Sequence, residues 1–138
     1  MLKERITYPD FNDVERTEDF YFNFTEAEVA EMQLSVDGGL KQKIEKIINA
    51  QSEPELIKIF KELILKAYGE KSPDGRQFIK SEELSKKFEQ TNAYSQLFMK
   101  LAFDDEAAAR WINGVIPKSL ADEIAKDNKA LDTPKPVN

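Results

Sequence analysis

Any chemistry in this 138-residue chain has to come from carboxylates, lysines or tyrosines, because it holds no His and no Cys. Their absence removes imidazole metal ligands, Ser-His-Asp catalysis, thiol nucleophiles, disulfides and iron–sulfur clusters. Acidic groupings are plentiful: Glu82/Glu83, Asp104/Asp105/Glu106 and Glu26/Glu28. Two carboxyls buried opposite each other could divide acid and base roles. Each grouping here falls at a predicted helix start, where acids complement the helix dipole and the free N–H groups. They read as structural.

Two local patterns call for a test. Calcium loops need oxygen ligands at positions 1, 3, 5 and 12, with Gly at 6. Placing Gly75 at 6 puts Glu70, Ser72 and Asp74 at 1, 3 and 5, but Ser81 at 12, where a bidentate carboxylate is required. Moving Glu82 or Glu83 to position 12 loses the glycine, so the segment reads as a polar turn. Gly38-Gly39 ahead of a helix could suggest an anion site. No phosphate-loop or dinucleotide fingerprint surrounds it, and Asp37 would repel an anion. It reads as a tight turn.

Lys+Arg is 20 and Asp+Glu is 26, a formal charge of −6. Basic residues are interleaved with acids, as at Lys41, Lys43, Glu45 and Lys46. This argues against nucleic acid as a partner, since phosphate binding needs clustered cations. No apolar run approaches the roughly 18–20 residues of a membrane span. Met1 to Arg5 is followed by no apolar signal segment. These features predict a cytosolic protein that engages neither membrane nor nucleic acid.

The elements that would position these side chains begin with a hairpin. Ile6, Thr7 and Tyr8 favour a strand over Lys3 to Tyr8, and Pro9, Asp10, Asn12 and Asp13 supply turn chemistry. In the return stretch Phe20, Phe22 and Phe24 recur at period two, with Asp19, Tyr21 and Asn23 opposite. That pattern predicts a strand with one buried face. A lone hairpin is marginal in water, so its Phe face must rest on helices. Thr25 with Glu28 forms a capping box for a helix reaching Leu34. Leu40 to Ala50 reads as a second helix, through Leu40, Ile44, Ile47 and Ile48. Ser52 with Glu55 caps a third that runs to Tyr68. Its stripe of Leu56, Ile57, Ile59, Phe60, Leu63, Ile64 and Ala67 predicts the central core helix, with Gly69 as its C-cap.

Residues 70–77 read as a polar loop, with Phe78 and Ile79 a short extended piece. Ser81 opens a helix bearing Leu84 and Phe88. Thr91 opens one with Tyr94, Leu97, Phe98 and Leu101 on one face. Asp104 opens the next, from Asp105 to Asn113 with Gly114 as its stop. Pro117 starts a last helix with Leu120, Ala121 and Ile124 inward. Trp111, Tyr94, Phe98 and Phe103 are expected in the core. The fold class is therefore α+β: an N-terminal β-hairpin followed by six or seven short packed helices. Residues 1–131 form one domain, and 132–138 have the composition of a flexible tail.

Several ordered blocks resemble a known family. They are Glu15-Arg16-Thr17-Glu18-Asp19-Phe20-Tyr21-Phe22-Asn23-Phe24-Thr25; Glu31-Met32-Gln33-Leu34-Ser35 with Asp37-Gly38-Gly39-Leu40; and Phe60 to Ser72. Phe78-Ile79-Lys80-Ser81 leading to Tyr94-Ser95-Gln96-Leu97-Phe98-Met99, and Ala107-Ala108-Ala109 leading to Asn113-Gly114-Val115-Ile116-Pro117, continue it. Across about residues 5 to 117 the chain resembles tail assembly chaperones of long-tailed bacteriophages of Gram-positive hosts. The resemblance implies a non-catalytic protein made in the host cytoplasm during assembly and absent from the finished virion. It would bind the tape measure protein, keep it soluble and help recruit the tail tube protein.

The residues alone carry the reading to an α+β interaction domain, needing no cofactor and no metal. A permanent component of a tail or connector, and a small carboxylate enzyme, are the competing readings. Two surfaces are candidates for partner binding. One is the free edge of the first strand, around Arg5 and Thr7, where unpaired backbone could receive a partner chain or a second copy. The other is the C-terminal stripe of Leu120, Ile124 and Leu131. Self-association would add multivalency on a long client.

Overall fold

The period-two pattern does form a strand, and its partner extends one residue beyond the expected Lys3–Tyr8 at each end. The computed structural model describes residues 1–33, 41, 42, 44, 45 and 53–132. Strand β1 (Leu2–Pro9) pairs antiparallel with β2 (Glu15–Phe22) along their whole lengths, from Leu2 opposite Phe22 to Pro9 opposite Glu15. Side chains alternate faces along a strand. Leu2, Ile6, Tyr8, Phe20 and Phe22 therefore share the inner face, and Lys3, Arg5, Thr7, Thr17, Asp19 and Tyr21 the outer one.

Helix α1 (Glu26–Gln33) starts at the predicted capping box. Glu28 N–H donates to Thr25 Oγ1 at 3.1 Å, and Thr25 N–H donates to Glu28 Oε1 at 2.8 Å. The other oxygen of the same carboxylate receives Lys80 Nζ at 2.6 Å. That ammonium also donates to the carbonyl of Asn23 at 2.7 Å and lies 4.8 Å from the centre of the Phe24 ring. Burial pushes the Lys80 pKa down, against the pull of Glu28. One Lys–Glu pair thus ties the entry of α1 to the strand that precedes Ser81.

Helix α2 (Glu53–Ala67) is the predicted core helix. Phe60, Leu63, Ile64 and Ala67 are fully buried, whereas Ile57 is exposed. The proposed cap at Ser52 and the turn at Gly38-Gly39 lie outside the described residues. Residues 41, 42, 44 and 45 are helical, and Ile44 is buried as expected.

After Ala67 the structure departs from expectation. Tyr68–Lys71 is a strand, β3, paired with β2 through Tyr21 opposite Gly69 and Phe22 opposite Tyr68. Phe78–Ile79 is β4, antiparallel to β3. The hairpin therefore grows into a four-stranded antiparallel sheet in the order β1-β2-β3-β4. Gly69 is no helix cap. A Cβ there would stand 2.8 Å from the Ile79 carbonyl oxygen and 2.8 Å from Phe78 Cε2, so glycine is what lets β4 close on β3.

Helices α3 (Glu82–Glu89), α4 (Asn92–Phe103), α5 (Asp105–Val115) and α6 (Lys118–Asp132) complete the six helices with described bounds. The predicted cap at Asp104 is made, and Ser81 and Thr91, read as lying at helix starts, also serve as caps. The Ser81, Thr91 and Asp104 side chains accept from the N–H groups of Leu84, Tyr94 and Ala107, each at 3.0–3.1 Å. Gly114 does not end α5. It sits inside the helix, where a Cβ would come within 2.9 Å of Leu2 Cδ1, so it admits β1 against the helix.

The inner sheet face is covered by α4 and α5, which contact β1, and by α3 against β3. Aromatic rings make the join. Phe88 stacks on Tyr68 with centroids 4.3 Å apart and 9° between planes. It also meets Phe20, Phe22 and Tyr94 at 5.2, 5.7 and 5.6 Å. Phe22 continues to Trp111 at 5.8 Å, edge on. Truncating one such buried Phe to Ala costs about 3–5 kcal/mol in general. The Trp111 indole N–H meets no acceptor among the described residues.

The close approach at Gly69 and the buried tyrosines each have a measurable consequence. Gly69→Ala should destabilise the protein by about 1–3 kcal/mol, because the Ile79 carbonyl oxygen, as well as the Phe78 ring, blocks the methyl. Urea titration measures it, and an unchanged midpoint would refute the close-approach role. The second concerns alkali. Burial pushes the Tyr68 and Tyr94 hydroxyls up to about 12 from 10.0. The unfolded chain then gives up these protons first, so their contribution is complete below pH 10 and is lost as pH rises toward 12. A Tyr68→Phe, Tyr94→Phe double variant should lose less stability than the wild type across that window in denaturant titrations.

Candidate functional site

Several of the groups that could do chemistry are engaged in local turns and ion pairs. In the segment tested for calcium, Asp74 Oδ1 accepts from Ser72 Oγ at 2.7 Å and from Arg76 N–H at 3.0 Å. Gln77 N–H donates to Ser72 Oγ at 3.0 Å, and Gly75 takes φ +75°. The segment is the β3–β4 hairpin turn, built by Asx geometry. Among the described residues, no cluster of three or more Asp or Glu could hold a metal ion. Glu82, Glu83, Asp105 and Glu106 lie exposed in the first turns of α3 and α5.

The carboxylates whose pKa moves, among the described residues, all move down. Arg16 holds Asp10 low, with help from the N–H groups of Val14 and Asn12. Arg5 holds Asp19 low, and the Arg76 N–H with Ser72 lowers Asp74. General acids need the opposite shift. A groove of about 580 Å³ runs between the end of α2 and α3. Its carboxylates are Glu82 and Glu89, and Glu89 pairs with Lys61 at 3.0 Å.

The sequence-predicted binding residues fall in different environments. Arg5 and Thr7 are exposed on the outer face of β1. Arg5 Nε donates to Asp19 Oδ1 at 2.9 Å, and the Thr7 and Thr17 hydroxyls are hydrogen-bonded at 2.7 Å. Both side chains are satisfied across the β1–β2 pair, and β1 is the edge of the sheet. Among the described residues no strand pairs with its other side. Leu120 and Ile124 are elsewhere: at 5% and 6% exposure they belong to the intramolecular core. An amphipathic stripe near a polar tail looks the same in sequence whether its cover is internal or external. The side chain of Leu131 lies outside the described residues, as do residues 133–138 of the expected tail.

The large apolar side chains that do face solvent were not picked out by pattern. Phe103, expected in the core, is 68% exposed at the last turn of α4, where the chain bends toward Asp104. Met99 is exposed one turn before it. Phe11 and Val14 are exposed in the turn between β1 and β2. Asp10 organises that turn. Its Oδ1 accepts from Asn12 N–H at 2.8 Å and Val14 N–H at 3.0 Å, and its Oδ2 accepts from Arg16 Nε at 2.7 Å. The backbone adds Asp10 N–H to the Val14 carbonyl at 2.8 Å, and Asp13 takes φ +63°. Asp10 and Asp13 are visible in sequence as turn formers, but the two exposed apolar residues between strands carry no periodic signal.

Among the described residues no helix is long and apolar enough to cross a membrane. The arrangement is that of an acidic body with a polar sheet face and a few projecting apolar side chains. No curated protein and no solved structure matches the chain. A family model described as phage tail assembly chaperone matches residues 1–137, nearly the whole length and well beyond residues 5–117 that carry the resemblance in sequence. The chain belongs to the phage tail assembly chaperone family.

Proposed function

We propose that this protein binds the tape measure protein in the host cytoplasm, keeps it soluble while the tail is assembled, and leaves before the virion is complete. The tail tube protein is a second partner in this reading. No bond is made or broken. The observation that carries it is family membership across residues 1–137. Three features are compatible with it. The formal charge of −6 favours solubility of a chaperone–client pair. The shifted carboxylates serve turns and ion pairs. Large apolar side chains project from ordered elements, as a binding protein requires.

Co-expression tests it. The tape measure protein produced with this chain should shift from the insoluble to the soluble fraction and co-purify with it. Mass spectrometry of purified virions should find tape measure and tube proteins but not this one. Stoichiometric amounts in the particle would instead make it a permanent tail component.

A further inference from the structure

We propose that the β1–β2 turn, residues 10–14, is the element that engages the client, with Phe11 and Val14 as its apolar anchors. The occupant it fits is an amphipathic segment of the client whose apolar surface is flanked by Lys or Arg. This rests on the chaperone reading above and names the surface that would perform it.

Single exposed apolar residues need no explanation. Here two bulky ones share one short turn, 76% and 54% exposed. The turn does not need them, since Asp10 and the left-handed Asp13 make its geometry.

The turn is also held rigidly. Below it, Thr7 bonds Thr17 and the Tyr8 hydroxyl bonds the Glu18 carboxylate across the strands. Asn92 Nδ2, at the first residue of α4, donates to the Pro9 carbonyl at 2.9 Å. The inner face beneath is anchored by Ile6 and Tyr8, both buried. Phe11 and Val14 are thus presented on a backbone that is already ordered, which lowers the entropy cost of binding. Aromatic anchors in such settings dominate interface energy.

Charge selects the occupant. Arg16, the cation nearest in sequence, is committed to Asp10 at 2.7 Å and lies 3.7 Å from Glu18. Asp13 and Glu15 are exposed and make no ion pair among the described residues. An apolar tip rimmed by two free carboxylates complements a basic amphipathic segment. It is a poor match for a second copy of a chain that is itself at −6.

The experiment compares four proteins for retention of co-expressed tape measure protein: wild type, Phe11→Ser/Val14→Ser, Asp13→Asn/Glu15→Gln, in which Asn keeps the left-handed position, and a control, Glu31→Gln/Asp122→Asn, with the same change in net charge. The Phe11/Val14 variant should keep the wild-type melting temperature and lose about tenfold or more of the client affinity. Neutralising Asp13 and Glu15 should weaken binding, and the control should not. Full retention by the Phe11/Val14 variant, when the wild type retains client, overturns the assignment but leaves the chaperone reading standing. Equal loss in both charge variants overturns the complementarity. A change in the protein's own sedimentation on replacing Phe11 and Val14 makes the turn a self-association element and also overturns it. Failure of the wild type to retain client removes the chaperone reading, and this one with it.

Discussion

Phe88 is the contact on which the rest of the molecule depends. Its ring stacks on Tyr68 of β3 at 4.3 Å and touches Phe20 and Phe22 of β2 and Tyr94 of α4. Only two residue pairs join β2 to β3, at Tyr21–Gly69 and Phe22–Tyr68. So short a ladder contributes little by itself. What makes one sheet of two hairpins is that rings from both rest on the same side chain of α3. Gly69 then lets β4 close where a Cβ would stand 2.8 Å from the Ile79 carbonyl oxygen, and Lys80, just past β4, reaches Glu28 at the start of α1. Sheet, central helix and first helix are fixed through one cluster.

That cluster divides the sheet. Toward Phe22 the strands are buried under helices. Toward Pro9 and Glu15 the same two strands run outward, polar on the outer face through Arg5–Asp19 and Thr7–Thr17. Rigidity is carried along the ladder by cross-strand pairs, so the turn at 10–14 is projected by a stiff hairpin, not hung on a loop. The fixed core and the projecting turn are two ends of one β-hairpin.

Much of this was legible in the sequence where a local rule governs. Thr25/Glu28, Ser81, Thr91 and Asp104 cap helices because capping depends on residues three apart. The Phe20-Phe22 alternation and the Leu97/Leu101 stripe read correctly because periodicity reports burial directly. The glycines misled. Gly69 and Gly114 follow apolar helical runs and look like stops, yet each is present for a close approach by a distant segment, Ile79 in one case and Leu2 in the other. Sequence cannot display such contacts. Leu120 and Ile124 lie inward, as their stripe suggests, and the docking role also considered for them fails because an amphipathic face does not say what covers it. Phe11 and Val14 carried no signal, since an exposed apolar residue in a turn is noticed only once nothing is found to bury it.

In the chaperone reading proposed above, this protein lends side chains from a surface already formed and does not open its core to a client. Hydrogen–deuterium exchange of the chain alone and in complex with tape measure protein tests it most directly. A rigid presenter predicts slower exchange around residues 10–16 and unchanged exchange in α4, α5 and α6. Faster exchange in α6 on binding, with Leu120 and Ile124 released from the core to cover the client, would contradict it.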